Sequence, residues 1–207
     1  MALAGPCFRP RALPAKATSM KYHWTAFRIS RLGSLLPLLA LPLVGRAHRL
    51  DEYLQATLVT IEPKAIRLQI NLTPGVDIAE LVLARIDRDH DGVISTNEAV
   101  AYCESVRRDL LIRLDHRNIT LKLIASNFPP PSELRTGWGI IQLEFAAKID
   151  LLAAGAHKVT IENRHLQALS VYLVNAAQPR SGQVEIAKQK RNETQSVGEI
   201  EFSITSR

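Results

Sequence analysis

The sequence predicts a mainly β protein: an antiparallel β-sandwich interrupted near its start by an inserted helix-loop-helix. Three observations carry this. Short segments of period-two alternation recur along most of the chain, which is the pattern of half-buried strands. Between 77 and 108 the period changes to that of a helix on both sides of an acidic loop. No internal repeat is visible, so the strands belong to one β-domain rather than to an array.

Taken in order, residues 53–61 mix β-branched and apolar side chains with polar ones, and Glu62-Pro63-Lys64-Ala65 offers a turn. Residues 66–72 alternate strictly, with Ile66, Leu68, Ile70 and Leu72 on one face, and Pro74-Gly75 ends the segment. Ile78, Leu81, Val82 and Ile86 then recur at helical spacing, with Asp77 and Glu80 spaced as a capping box. A second helix is expected over 99–108, ending in Arg107-Arg108, where cations suit the negative end of the helix dipole. Strands are expected again at 110–114 and 119–123, joined by Asp115-His116-Arg117-Asn118 as a hairpin connection. Pro129-Pro130-Pro131 reads as a stretch without regular structure. Further strands are expected within 138–149, 157–163, 169–174, 184–188 and 198–204, giving eight or nine in all, at the short spacing of a sandwich or barrel.

Composition fits a single domain preceded by a leader. Hydrophobic residues make up 46% of the 207, enough for a real core. The formal net charge of +6 would suggest a polyanionic partner if it were spread over the fold, but it is not. Seven of the 26 basic residues and no acidic ones lie in 1–47, leaving 19 basic against 20 acidic residues in 48–207. The body is about neutral, so no nucleic-acid partner is expected. Residues 35–44 form an apolar run too short for a membrane-spanning helix and broken by Pro37 and Pro42. With Gly45 and Ala47 at the small-residue positions, 1–47 reads as a signal peptide cleaved before His48, with Met20 as an alternative start. The expected product, 48–207, is exported, periplasmic or secreted, with no membrane span once the leader is removed. Cys103 is left without an intramolecular partner, so no disulfide framework holds the domain.

The strongest chemical signal is the run from Asp87 to Glu98, D-R-D-H-D-G-V-I-S-T-N-E. It fits the calcium loop of an EF-hand at every specified position. Ca²⁺ is a hard cation that takes six to eight oxygens at about 2.3–2.6 Å. Asp87, Asp89 and Asp91 supply side-chain oxygens from alternate positions, and Gly92 permits the sharp turn. Val93 offers its carbonyl, Ser95 can hold a bridging water, and Glu98 can reach back from the exit helix with both oxygens. Calcium is therefore the expected cofactor and partner. One loop without a second, and no methionine outside the leader, argues against a sensor that opens a Met-rich groove and for a structural ion.

A second reading rests on His48, whose α-amine and imidazole would chelate copper or nickel if cleavage leaves it at the N-terminus. His116, His157 and His165 read as surface or turn residues, and His90, inside the loop, should face solvent. No nucleophile motif, phosphate-binding glycine loop or zinc spacing is present, so no catalytic role is assigned.

Ala47-His48-Arg49-Leu50-Asp51, a following strand hairpin, and the acidic loop with Tyr102 in its exit helix resemble one bacterial family. That family is the nickel/cobalt-permease-like proteins of the hydrogenase and urease accessory type, and the likeness is to their exported N-terminal region. The resemblance implies an exported β-rich domain and a link to metal homeostasis. Transport is not implied, because the family's transmembrane part has no counterpart here.

Overall fold

In the computed structural model, residues 51–205 are described. The leader 1–47, the cleavage position and His48 lie outside them. Ten strands form two five-stranded sheets among the described residues. β1 (Tyr53–Glu62) and β2 (Ala65–Pro74) pair as a tight hairpin, with Ile61 opposite Ile66 and Glu62 opposite Ala65. The chain then makes a 3-10 turn (Val76–Ile78), helix α1 (Ala79–Ile86), the acidic loop and helix α2 (Thr96–Asp109). β3 (Leu110–Leu114) and the two-residue β4 (Arg117–Asn118) come next, in the second sheet, so the helix-loop-helix bridges the two sheets in sequence. β5 (Lys122–Asn127), the short helix α3 (Pro131–Arg135) and β6 (Ile141–Lys148) return to the first sheet. β7 (Gly155–Asn163) joins the second sheet, β8 (Ser170–Ala176) the first, and β9 (Val184–Arg191) with β10 (Val197–Ile204) completes the second. The strand orders are β5-β6-β2-β1-β8 and β4-β3-β7-β10-β9.

Alternation decides which side of each strand faces in. Ile66, Leu68, Ile70 and Leu72 of β2 are all fully buried, as their period requires, and Ile141, Leu143, Phe145 and Ala147 of β6 lie beside them in register. Val159 and Ile161 of β7 and Ile200, Phe202 and Ile204 of β10 face in from the second sheet, and the two inner faces share one apolar core. Each large apolar side chain so buried contributes about 1.5–3 kcal/mol. The helices dock onto the same core through Val82, Leu83 and Ile86 of α1 and Tyr102, Cys103 and Val106 of α2. Burial makes Cys103 a core side chain and raises its thiol pKa, so it is not a reactive group.

One side of the sandwich is closed by close approach. Gly198 of β10 stands where a Cβ would come within 2.7 Å of Val174 Cγ1 on β8. Arg191 of β9 donates to the Val174 carbonyl and to the Asn175 side chain, and Gln189 accepts from the Ala176 N–H. Side chains of one sheet thus satisfy backbone groups on the exposed edge of the other, which blunts that edge against pairing with another chain.

Several local expectations are corrected. β8 runs parallel to β1, Tyr53 facing Ser170, while every other pairing is antiparallel. The short 164–169 link delivers β8 to the free edge of β1 at the end where β1 also starts, which fixes the direction. Asp77 does not cap α1: it sits in the 3-10 turn, and the N-cap is Ile78, without a side-chain bond. The hairpin after β3 turns on Asp115 and His116 alone, both at positive φ (47° and 70°), as a two-residue turn of this hand demands. Residues 119–121 are therefore not a strand; they carry the chain across to the first sheet, and β5 starts at Lys122. Pro131 opens α3 rather than forbidding it, since a helix's first residue has no use for its N–H.

Candidate metal centre

The acidic loop leaves α1 at Asp87, whose N–H still donates to the Leu83 carbonyl at 2.8 Å. Its side chain then shapes the turn beyond it. Asp87 Oδ2 accepts the Gly92 N–H at 3.0 Å, drawing the chain into a curl around the carboxylate. Asp89 Oδ1 accepts from the Asp91 N–H, and Asp91 Oδ1 from the Val93 N–H at 2.7 Å, so each aspartate also holds the turn after it. His90 and Gly92 both take positive φ, 59° and 83°. That conformation suits glycine at the second position and leaves His90 exposed, as expected.

These turns bring the three aspartates together. One oxygen from each of Asp87, Asp89 and Asp91 lies within 4.8 Å of the others. Oxygens held at about 2.4 Å from a shared cation are at most about 4.8 Å apart, so the spacing suits three ligands of one ion. Asp87 Oδ1 supplies an independent sign. It is buried and has no hydrogen-bond partner, the one such side-chain atom among the described residues. Asp87 as a whole is 8% exposed. A buried carboxylate oxygen without a donor costs stability unless a cation meets it.

Glu98 is bonded at both ends of the loop. It is the third residue of α2 and forms a capping box with Ser95: Ser95 N–H and Oγ both donate to Glu98 Oε2, at 3.0 and 2.8 Å, and the Glu98 N–H reaches Ser95 Oγ at 3.4 Å. Its other oxygen accepts the Arg88 N–H at 2.6 Å. These bonds to Ser95 and Arg88 hold its pKa down at about 2. Glu98 thus ties the start of the loop to its end, and it stands outside the aspartate group. Ser95 is committed to the cap, Val93 is 61% exposed, and Ile94 packs against the core.

Behind the loop, α2 is fixed by a buried polar chain that sequence reasoning missed. Tyr53 and Tyr102 hydroxyls meet at 2.7 Å, and the Tyr102 hydroxyl lies 3.1 Å from His165 Nε2. His165 Nδ1 lies 2.8 Å from Asp109 Oδ2 at the end of α2. Gln55, Ser170 and Tyr172 all donate to the His165 carbonyl, and Asn163 donates to Gln55. Burial lowers the His165 pKa against the opposing pull of Asp109, and it raises that of Tyr102. His165 therefore stands in a turn, as one half of its reading had it, but it is a core residue, 3% exposed, and not a surface one. His116 is exposed, and His157 sits at the β3 hairpin with Nδ1 2.7 Å from Asp115 Oδ2 and Nε2 2.9 Å from the Ala153 carbonyl. Among the described residues the histidines do not converge on a common site: His157 and His165 each answer a different aspartate.

Taken together, fold and site define a mainly β domain with a carboxylate cluster in a helix-loop-helix. No protein-family model matches the chain, and no curated protein matches its sequence. Among the described residues no helix is long and apolar enough to cross a membrane.

Proposed function

We propose that this is a metal-binding accessory domain that works outside the cytoplasm, with a divalent cation held by Asp87, Asp89 and Asp91. The observation that carries the proposal is Asp87, whose carboxylate has a buried oxygen with no donor and offers an oxygen at ligand spacing from two further carboxylates. An all-oxygen, anionic donor set favours a hard ion, and calcium is the ion that the loop pattern and the donors both favour. The Glu98 bonds support a structural role, because they brace the loop independently of the ion. Water and the Val93 carbonyl would complete the shell.

A copper or nickel accessory role shares the premise of metal binding and would use His48. The aspartate group supports the general premise, and the resemblance to nickel/cobalt-permease-like proteins supports the particular metal. Calorimetric titration of the purified protein with Ca²⁺, Cu²⁺ and Ni²⁺ separates the two. Calcium binding that is lost in Asp87→Ala supports the leading assignment. Tight copper or nickel binding that needs His48 and ignores Asp87 would replace it.

A further inference from the structure

The outer face of the first sheet carries a second feature, independent of the acidic loop. Register places Ala65 opposite Lys148 and Arg67 opposite Ala146, while Lys122 of β5 faces Ala146 from the other side. Two alanines thus sit low among long cationic side chains, with Lys64 at the adjoining β1–β2 turn. The result is a hollow of about 750 Å³, within the range of small-molecule sites.

Its lining combines two chemistries. Ile119, Ile124 and Ile149 make an apolar wall, and Ile124 is 53% exposed because a bulge between Leu123 and Ala125 leaves it out of the ladder. Around that wall stand four cations and no carboxylate. Arg67 is paired with Glu144 at 3.2 Å and Glu62 at 3.6 Å. No carboxylate among the described residues pairs with Lys64, Lys122 or Lys148. Three uncompensated ammonium groups repel one another, and an anion among them lowers that energy. Aliphatic contact with the isoleucines would remove exposed apolar surface at the same time.

We propose that this hollow binds a single-chain anionic amphiphile, a fatty carboxylate whose head lies among Lys64, Lys122 and Lys148 and whose chain covers Ile119, Ile124 and Ile149. A small inorganic anion would leave the apolar wall exposed. A neutral lipid would leave the lysines unpaired.

The test is calorimetric titration of the purified protein with dodecanoate below its micelle concentration. Acetate, dodecyltrimethylammonium and phosphatidylglycerol vesicles serve as comparisons. One dodecanoate is expected to bind with a micromolar Kd that weakens as salt is raised. Acetate and dodecyltrimethylammonium should each bind at least tenfold more weakly. Lys122→Ala with Lys148→Ala, both exposed positions, should weaken dodecanoate at least tenfold with an unchanged circular dichroism spectrum. Ile124→Ser should weaken dodecanoate severalfold without making acetate bind better or worse. The proposal is overturned by an absence of saturable dodecanoate binding up to about 1 mM, the scale of weak complexes. Equal binding of the cationic amphiphile, or affinity indifferent to these variants, overturns it as well. Binding to the anionic vesicles without binding of monomeric dodecanoate would make the hollow a membrane contact and overturn it too.

Discussion

Replacing Asp87 by Asn should make the metal-free protein more stable and the metal-loaded protein less so. Asn keeps an oxygen for the Gly92 N–H, puts an amide donor where the buried Asp87 Oδ1 has none, and removes one of three clustered negative charges. Two unit charges at 4.8 Å repel by about 0.9 kcal/mol in a water-like dielectric, the appropriate limit because Asp89 and Asp91 are exposed. Removing two such repulsions gives about 1–2 kcal/mol, or a rise of roughly 3–6 °C in Tm for a domain of this size. Wild type at 100 times its calcium Kd should instead gain about 2.7 kcal/mol, roughly 5–10 °C, and Asp87→Asn should gain little. The two proteins therefore exchange rank between EDTA and excess calcium. Thermal melts followed by circular dichroism read this directly. Destabilisation of Asp87→Asn in EDTA, or a calcium response equal to that of wild type, would refute the argument from the orphaned oxygen.

Other perturbations test the buried chain and the close sheet contact. Tyr102→Phe strips a hydroxyl that serves both Tyr53 and His165, so it should cost about 2–4 kcal/mol. Tyr53→Phe should cost less, since Tyr102 keeps His165; urea unfolding of both variants checks the order. Gly198→Ala should destabilise by about 1–3 kcal/mol through overpacking on Val174, and Val174→Ala should relieve part of that in a double-mutant cycle. Stability should also fall as pH drops below about 6.5, the ordinary histidine value, because His165 has a lowered pKa and only the unfolded chain takes the proton there. His157 works in the opposite sense. Burial lowers its pKa, but the Ala153 carbonyl and Asp115 outweigh this and raise it, so its contribution is present at low pH and lost as pH rises through that raised value. Urea midpoints from pH 5 to 7.5 in a His157→Gln background should therefore rise with pH, and a flat or falling curve would contradict the assignment.

Legible and illegible features of the chain divide along a physical line. The alternation of Ile66, Leu68, Ile70 and Leu72 fixes an inner face, and the change of period at Ile78 marks the helical insert, because both are local patterns. The parallel seating of β8 against β1 was not legible, since side-chain period says which face is buried but not which strand lies alongside. Gln55, Asn163 and His165 look like surface residues in sequence; they are buried because they satisfy one another across more than a hundred positions. The aspartates of the loop were legible as a group because their alternation at 87, 89 and 91 is itself the ligand pattern. The capping box that Glu98 makes with Ser95 was not, because the motif marks that position as a ligand and is silent on its place as the third residue of a helix.

An ion shared by Asp87, Asp89 and Asp91 is the central claim. Calorimetric titration of the chelator-treated protein with calcium, repeated on Asp87→Ala, tests it most directly. One saturable site in the wild type, with affinity weakened at least tenfold by Asp87→Ala, is the expected result. No calcium binding at millimolar concentrations, or binding that Asp87→Ala leaves unchanged, would contradict it.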